Sequence, residues 1–223
     1  GGFVSTNKNI LFCGGGTGGH YYPLMAIKQE LDKSLNNKKM YYIGSKYGIE
    51  SKKISFENIK SLLIPIRGFN RSFSIKNCIK NFILIFQLLF GFTRVLIFFI
   101  VNKPSLVIAS GGYSSFLPLQ MARIFNIPYF IHEQNSFPGI VTRIFGKKAK
   151  VVFLGFDNAK NYLKNTNTMF TGNPIHIKPF IEINLNIDLT KKNQQFEGSE
   201  QKEAPFGLNP IKIDYLIRAY ATG

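Results

Sequence analysis

The chain has 223 residues, a net charge of +16 at pH 7 and a hydrophobic content of 45%. This length allows one large domain, or one domain and part of a second, with a substantial core. The charge favours anionic partners, namely nucleic acid, an anionic membrane surface or phosphorylated substrates, although AT-biased coding is an alternative source of many lysines. The sequence contains no RNA- or DNA-binding motif, so we do not expect nucleic acid as a partner.

The two cysteines, Cys13 and Cys78, lie far apart and neither has a ligand-like neighbour. Two isolated cysteines exclude a disulfide framework and a zinc site. Free cysteines of this kind are typical of proteins in a reducing cytoplasm. We therefore expect no metal and no cofactor.

Short apolar runs alternate with helical patterns along most of the chain. A buried strand in "NILFC" is followed by a helix from His20 to about Asp32, with Leu24, Ile27 and Leu31 on one face. Further strands are predicted in "KKMYYIGS", "SLLIPI", "SLVIAS", "IPYFIHEQN" and "AKVVFLGF", and a helix in "FLPLQMARIF". This alternation is typical of an α/β fold with a Rossmann-like, doubly wound parallel sheet.

Residues 79–101 are nearly all apolar and are long enough for a membrane span. Gln87, Gly91 and Arg94 recur at helical spacing, which predicts one narrow polar stripe, and the segment occupies a crossover position before the strand at Ser105. Three alternatives stay open: a helix pair partly facing a membrane interface, ordinary buried crossover helices, and a true span. Four cations before or at the start of this segment suit an anionic bilayer surface: Arg67, Arg71, Lys76 and Lys80.

The first glycine-rich loop, "GGGTGGHYYP" (14–23), lies between the first strand and the first helix. Glycines let backbone N–H groups approach a phosphate, and the helix dipole favours negative charge, so this loop predicts an anion site. No lysine completes a Walker motif, and no acidic residue ends the second strand, since Glu50 lies further on. A P-loop NTPase and a dinucleotide site are therefore disfavoured.

Two side chains in this loop favour a functional role over a turn that serves packing alone. The Thr17 hydroxyl can donate to an oxyanion. His20, at the helix start, can act as a base or bind phosphate.

Three more polar loops follow predicted strands: "SGGYSS" (110–115), "HEQNSFPG" (132–139) and "TGNPI" (171–175). Because the carboxyl ends of parallel strands meet at one edge, we expect the loops 110–115 and 132–139 to form a cleft with the first. The segment 171–175 is predicted only as an exit from a strand into a loop. Glu133 or Gln134 could alternatively cap the neighbouring loops.

Four segments carry a resemblance to a known family: "GGGTGGHYYPLMAI", "IPIRGFNRS", "KPSLVIASGGYSSFLPLQMARIFNIPYFIHEQNSFPG" and "FTGNPI". In order and spacing they resemble the MurG family of bacterial N-acetylglucosaminyltransferases, over roughly residues 8–178. The resemblance implies a GT-B architecture, in which an N-terminal Rossmann-like domain holds the lipid acceptor and touches the membrane. The C-terminal domain holds most of the UDP-GlcNAc site.

The resemblance also implies roles for individual residues. His20 corresponds to the family's candidate for acceptor binding or catalysis. Contacts to the donor are implied for Thr17, Gly18, Gly19 and Asn135. Contacts to the acceptor are implied for Gly16, Gly111, Gly112, Tyr113, Glu133 and Gln134.

The resemblance divides the chain into an acceptor- and membrane-associated domain (8–165), an interdomain linker (166–180) and an incomplete C-terminal segment (181–223). The polar composition of this last segment predicts disorder. Two departures from the family stand out. His176 replaces the arginine usual after "GNP" and one apolar residue, and a neutral histidine is a poorer phosphate partner. No second glycine-serine loop follows the linker.

The implied reaction is inverting glycosyl transfer at the cytoplasmic face of the bacterial inner membrane, in peptidoglycan synthesis. The C4 hydroxyl of MurNAc in lipid I, an undecaprenyl-diphosphate-linked MurNAc-pentapeptide, would attack the anomeric carbon of UDP-GlcNAc. Lipid II would form and UDP would leave. Two alternatives stay open: an acceptor-binding half that needs a separate donor-domain chain, and an inactive remnant.

Overall fold

The computed structural model describes residues 9–35, 38–68 and 75–174, with the backbone alone at 34 and 75–84. Seven strands form one parallel sheet: β1 (Asn9–Cys13), β2 (Met40–Ser45), β3 (Lys60–Ile64), β4 (Pro104–Ala109), β5 (Tyr129–Glu133), β6 (Val152–Leu154) and β7 (Thr168–Phe170). Their spatial order is β3-β2-β1-β4-β5-β6-β7. The direction of winding reverses between β1 and β4, where ligands bind in such sheets.

Helices cover both faces of the sheet, which confirms the predicted doubly wound α/β fold. The α-helices are α1 (Gly18–Ser34), α2 (Glu50–Lys53), α3 (Ile75–Asn102), α4 (Phe116–Ile124) and α5 (Ile140–Phe145). Short 3₁₀ turns cover Ile54–Glu57, Tyr113–Ser115, Gly146–Lys148 and Asp157–Tyr162.

The core consists of two apolar layers, one on each side of the sheet. In β1, Ile10 and Phe12 pack with Leu24 of α1, whereas Leu11 packs on the other side with Val95 of α3. All five of these side chains are fully buried. A strand buried on both faces explains why "NILFC" reads as a continuous apolar run and not as an alternating one.

The sheet extends beyond residue 165. Strand β7 pairs with β6 at Thr168 to Phe170, inside the segment for which the sequence predicted a linker (166–180). Residues 175–223 lie outside the described part of the chain, and so do His176 and the predicted C-terminal segment. The domain limits therefore stay predictions.

Helix α3 is one continuous helix of 28 residues, so the alternatives that invoked more than one helix were wrong in that number. Its inner side packs on the sheet through Val95, Phe98 and Phe99. Gly91 also lies on this inner side, because a Cβ there would come 3.0 Å from Leu117 Cδ1. The predicted polar stripe was therefore wrong at Gly91, where the missing side chain serves close packing.

The outer side of α3 is mostly apolar and exposed to solvent, with Thr93 and Arg94 as the exposed polar residues among its described side chains. Its residues 85–102 are long and apolar enough to cross a bilayer, a property that core helices of other proteins share. Since α3 connects β3 to β4 of one sheet and packs against that sheet, it is a crossover helix. Its outer surface is unusual because it exposes many large apolar side chains. Its exposed large apolar residues are Ile85, Phe86, Leu89, Phe90, Ile97, Ile100 and Val101.

Of the four cations predicted to face a bilayer, the structure describes the side chain of Arg67, whose guanidinium lies 3.9 Å from the centre of the Tyr47 ring. The side chains of Arg71, Lys76, Lys80 and Cys78 lie outside the description.

Candidate functional site

Four loops meet at the carboxyl edge of the sheet, and the sequence predicted this for the first three. They are residues 14–17 after β1, 110–112 after β4, 134–139 after β5 and 171–174 after β7. Hydrogen bonds hold neighbouring loops together: Ser110 N donates to Cys13 O at 3.0 Å, and the Asn173 side chain donates to Gln134 O at 3.2 Å.

The first glycine loop is shaped by close contacts on several sides. Gly16 has a φ of 86°, a conformation that side chains disfavour. A Cβ at Gly16 would lie 2.8 Å from the Tyr113 ring, and one at Gly15 would lie 2.6 Å from the Glu50 carboxylate. Close packing therefore accounts for part of the glycine content of this loop, in line with the alternative of a turn that serves packing.

Glu50 is a buried acidic residue beneath this loop. Its carboxylate accepts hydrogen bonds from Gly16 N at 2.8 Å and from Ser45 N at 2.7 Å. Glu50 begins the short helix α2, and its side chain reaches back to Ser45 at the end of β2. The distance of Glu50 from β2 along the sequence was therefore a wrong reason to place it away from the strand end. Because backbone amides occupy the carboxylate, it is not free to bind a ribose, and a dinucleotide site stays disfavoured.

The start of α1 retains free donors for an anion. Thr17 is the N-cap residue; its side chain is exposed and makes no capping bond. No described residue accepts a hydrogen bond from the N–H of Gly18 or Gly19. These amides and the positive end of the helix dipole form an anion-binding end, whereas the Gly16 amide is already used.

The two glycine loops touch each other and enclose His20. Gly112 has a φ of 72°, and a Cβ there would lie 2.9 Å from Gly15 O and 3.2 Å from His20 Cδ2. A Cβ at Gly111 would lie 3.8 Å from His20 Cε1. The imidazole is therefore held between the two loops at the β1–β4 switch point.

One ring nitrogen of His20 is fully engaged. Its Nδ1 lies 2.7 Å from Ser110 O and 2.7 Å from Gln134 Oε1. Nε2 makes no hydrogen bond with any described residue. The arrangement leaves Nε2 available to accept a proton.

Glu133 is buried and holds the loop that follows β5. Its carboxylate accepts from Asn135 N at 3.0 Å, from Asn135 Nδ2 at 2.9 Å, from Gly139 N at 3.0 Å and from Thr142 Oγ1 at 2.6 Å. These bonds support the loop-capping alternative. Acceptor contacts by Glu133 and Gln134 stay predictions, as does a donor contact by Asn135, whose side chain is exposed.

His132 was not singled out from the sequence as a site residue, although it belongs to the "HEQN" motif. It is buried, its Nε2 lies 3.2 Å from Gly172 O, and Gln134 Nε2 lies 3.0 Å from its Nδ1. Burial lowers the pKa of His132 to about 4, so its ring is neutral at pH 7. The sequence signal that could have identified His132 was its position beside the polar residues of the "HEQN" motif.

Within the described ranges, no three or more His, Cys, Asp or Glu side chains are grouped as for a metal ion. Cys13 is buried, and burial raises the pKa of its thiol above its usual value. A protonated, enclosed thiol is a poor nucleophile.

Residues 10–154 match the glycosyltransferase family 28 N-terminal domain. Among curated relatives, the chain is similar to UDP-N-acetylglucosamine--N-acetylmuramyl-(pentapeptide) pyrophosphoryl-undecaprenol N-acetylglucosamine transferases. It is 36% identical to the Bacillus subtilis enzyme over 94% of this chain and 58% of the relative. It is 34% identical to the Caldicellulosiruptor saccharolyticus enzyme over 77% of this chain and 46% of the relative. The chain thus spans about half the length of the curated relatives it matches.

Solved structures share the fold. Acinetobacter baumannii MurG superposes with a TM-score of 0.60 and 23% identity, over 77% of this chain and 47% of that one. The S. aureus MnaA–UDP structure superposes with a TM-score of 0.52 and 18% identity, over 75% and 45%. The family match spans most of the described sheet, including both glycine loops. The chain therefore belongs to glycosyltransferase family 28 and carries the N-terminal domain of that family.

Proposed function

We propose that this domain binds the lipid acceptor of an N-acetylglucosaminyltransferase that makes lipid II from lipid I and UDP-GlcNAc. The observation that carries the proposal is the position of His20, between two glycine loops at the switch point, with Nε2 unbonded in the described structure. The names of the curated relatives support the choice of sugar and acceptor.

In the proposed reaction, His20 Nε2 takes the proton from the C4 hydroxyl of MurNAc as that oxygen attacks the anomeric carbon of GlcNAc. The bond from this carbon to the UDP oxygen breaks, UDP leaves with the electron pair, and the anomeric configuration inverts. The free amides of Gly18 and Gly19 stabilise diphosphate charge near the helix start.

We also propose that the domain binds peripherally to the cytoplasmic face of the inner membrane. The exposed apolar side of α3 supports this, because a large apolar surface combined with a net charge of +16 suits an anionic bilayer.

The direct test mixes the purified chain with UDP-[¹⁴C]GlcNAc and lipid I in detergent and measures labelled lipid II. The second candidate function, an acceptor half that needs a separate donor-domain chain, follows from the coverage of about half of the relatives. Adding the separately expressed C-terminal domain of the Bacillus subtilis relative tests that candidate. Transfer by the chain alone supports the full activity, and transfer only with the added domain supports the acceptor half. If neither mixture transfers GlcNAc and the chain also fails to bind lipid I, the proposal is wrong and an inactive remnant is favoured.

A further inference from the structure

A chain of hydrogen bonds leads from the loop after β7 to His20. It joins Gly172 O, the His132 ring, the Gln134 side-chain amide and His20 Nδ1 in sequence, with heavy-atom distances of 3.2, 3.0 and 2.7 Å. Gln134 and His132 are both buried, so no solvent replaces these partners.

Backbone carbonyls determine the direction of every bond in this chain, since a carbonyl oxygen only accepts. Gln134 Nε2 lies 2.9 Å from His132 O, so this atom is the amide NH₂ and Oε1 faces His20. Both neighbours of His20 Nδ1, Oε1 and Ser110 O, are then acceptors, and Nδ1 carries the hydrogen.

The same argument assigns the opposite tautomer to His132. Its Nε2 faces Gly172 O and therefore carries the hydrogen, which leaves Nδ1 to accept from the Gln134 amide. A neutral ring is required for this pattern, and the burial that lowers the pKa of His132 keeps it neutral.

We propose that Gln134 and His132 are positioning residues that hold His20 in the Nδ1–H tautomer, with Nε2 unprotonated and ready to take a proton. Both donors of the Gln134 amide are bound to His132, one on the ring and one on the backbone, so the amide is fixed with its oxygen toward His20. The catalytic consequence rests on the proposed function, whereas the tautomer assignment does not.

The tautomers are measured directly in this chain, which has three histidines. Long-range ¹H–¹⁵N spectra of histidine-labelled protein at pH 7.5 distinguish protonated from unprotonated ring nitrogens, and a His20→Gln variant assigns the His20 signals. We expect His20 as Nδ1–H and His132 as Nε2–H. A His20 ring that is Nε2–H, or that averages between the two forms, would overturn the proposal.

The variant Gln134→Met removes the amide at similar side-chain length. His20 then keeps only the Ser110 carbonyl, and we expect the Nε2–H form to gain roughly fivefold to tenfold in population. The matched control is Gln29→Met on the exposed side of α1, which should leave the His20 spectrum unchanged. An unchanged spectrum in Gln134→Met as well would contradict a positioning role. If this variant does not fold, the wild-type spectrum still decides the tautomer.

Kinetics in the GlcNAc-transfer assay, with whichever mixture is active, separates positioning from acceptor contact. A positioning role predicts that Gln134→Met lowers kcat by the factor by which the spectra show the Nδ1–H population to fall, and leaves KM for lipid I within about twofold. A higher KM with an unchanged kcat would identify Gln134 as an acceptor contact and overturn the positioning role. Absence of transfer by wild type would count against the proposed function alone, because the spectra report the tautomer without turnover.

Discussion

The carboxyl edge of the sheet buries polar side chains, whereas the outer side of α3 exposes apolar ones. Glu50, His132, Glu133 and Gln134 are all buried at the edge, and each is hydrogen-bonded. On α3, by contrast, residues such as Ile97 and Ile100 are 60% and 56% exposed. Both patterns depart from the usual distribution, in which polar groups are outside and large apolar groups are inside.

The carboxyl edge and the outer side of α3 are therefore maintained by different forces. The four buried side chains named above are hydrogen-bonded, so removing one partner leaves buried donors or acceptors unpaired, at a high free-energy cost. The α3 surface contributes little to folding, and its substitutions should act on what the surface touches.

His20→Ala should cause the largest change, on activity. Loss of a general base should lower kcat about 10²- to 10⁴-fold in the GlcNAc-transfer assay. Gln29→Ala, an exposed substitution on the same helix, should leave kcat unchanged. Unaltered turnover in His20→Ala would exclude a catalytic role for His20 and would leave the polar edge with a structural role only.

Glu50→Ala should destabilise the fold by about 3 kcal/mol, since it leaves the amides of Gly16 and Ser45 without acceptors. Urea unfolding followed by circular dichroism measures this change. The matched variant Glu57→Ala removes a half-buried glutamate that accepts one 3.4 Å bond from Tyr21, and it should cost less than about 1 kcal/mol. Equal losses in the two variants would contradict the special role of Glu50.

Stability should fall on acidification because of His132. Its pKa is lowered to about 4 by burial, against about 6.5 when unfolded, so the unfolded state binds the extra proton first. The stabilisation is therefore present above pH 6.5 and is lost as pH falls toward 4, by about 3 kcal/mol in all. Urea unfolding between pH 4 and 7.5 measures this slope, and His132→Asn should flatten it. A slope as steep in the variant would assign acid sensitivity to other groups.

Paired substitution of Ile97 and Ile100 by serine should change the unfolding free energy by less than about 1 kcal/mol, because both side chains are exposed. The same variant should bind anionic phosphatidylglycerol vesicles roughly tenfold more weakly in a sedimentation assay. Phe56→Ser is the control: Phe56 is 82% exposed and follows Ile54, which packs on the α1 side of the sheet. Equal weakening by the control would mean that the α3 side is not the membrane face.

The inner side of α3 shows why the exposed residues had to be chosen from the structure. Phe98 and Phe99 belong to the same apolar run as Ile97 and Ile100, but they are 9% and 3% exposed and pack on the sheet. Nearly every residue of the run is apolar, so its periodicity could not distinguish the two sides.

Local sequence patterns were enough to predict the alternation of strands and helices, the loops after β1, β4 and β5, and the place of His20, because these features depend on residue periodicity and on where parallel strands end. Tertiary structure decided that Glu50 returns beneath the first loop, that Gln134 links His132 to His20, and which side of α3 is exposed. These contacts join residues far apart in the chain, such as His20 and Gln134 with a separation of 114. Such bonds depend on how the elements pack in three dimensions, which no local pattern specifies.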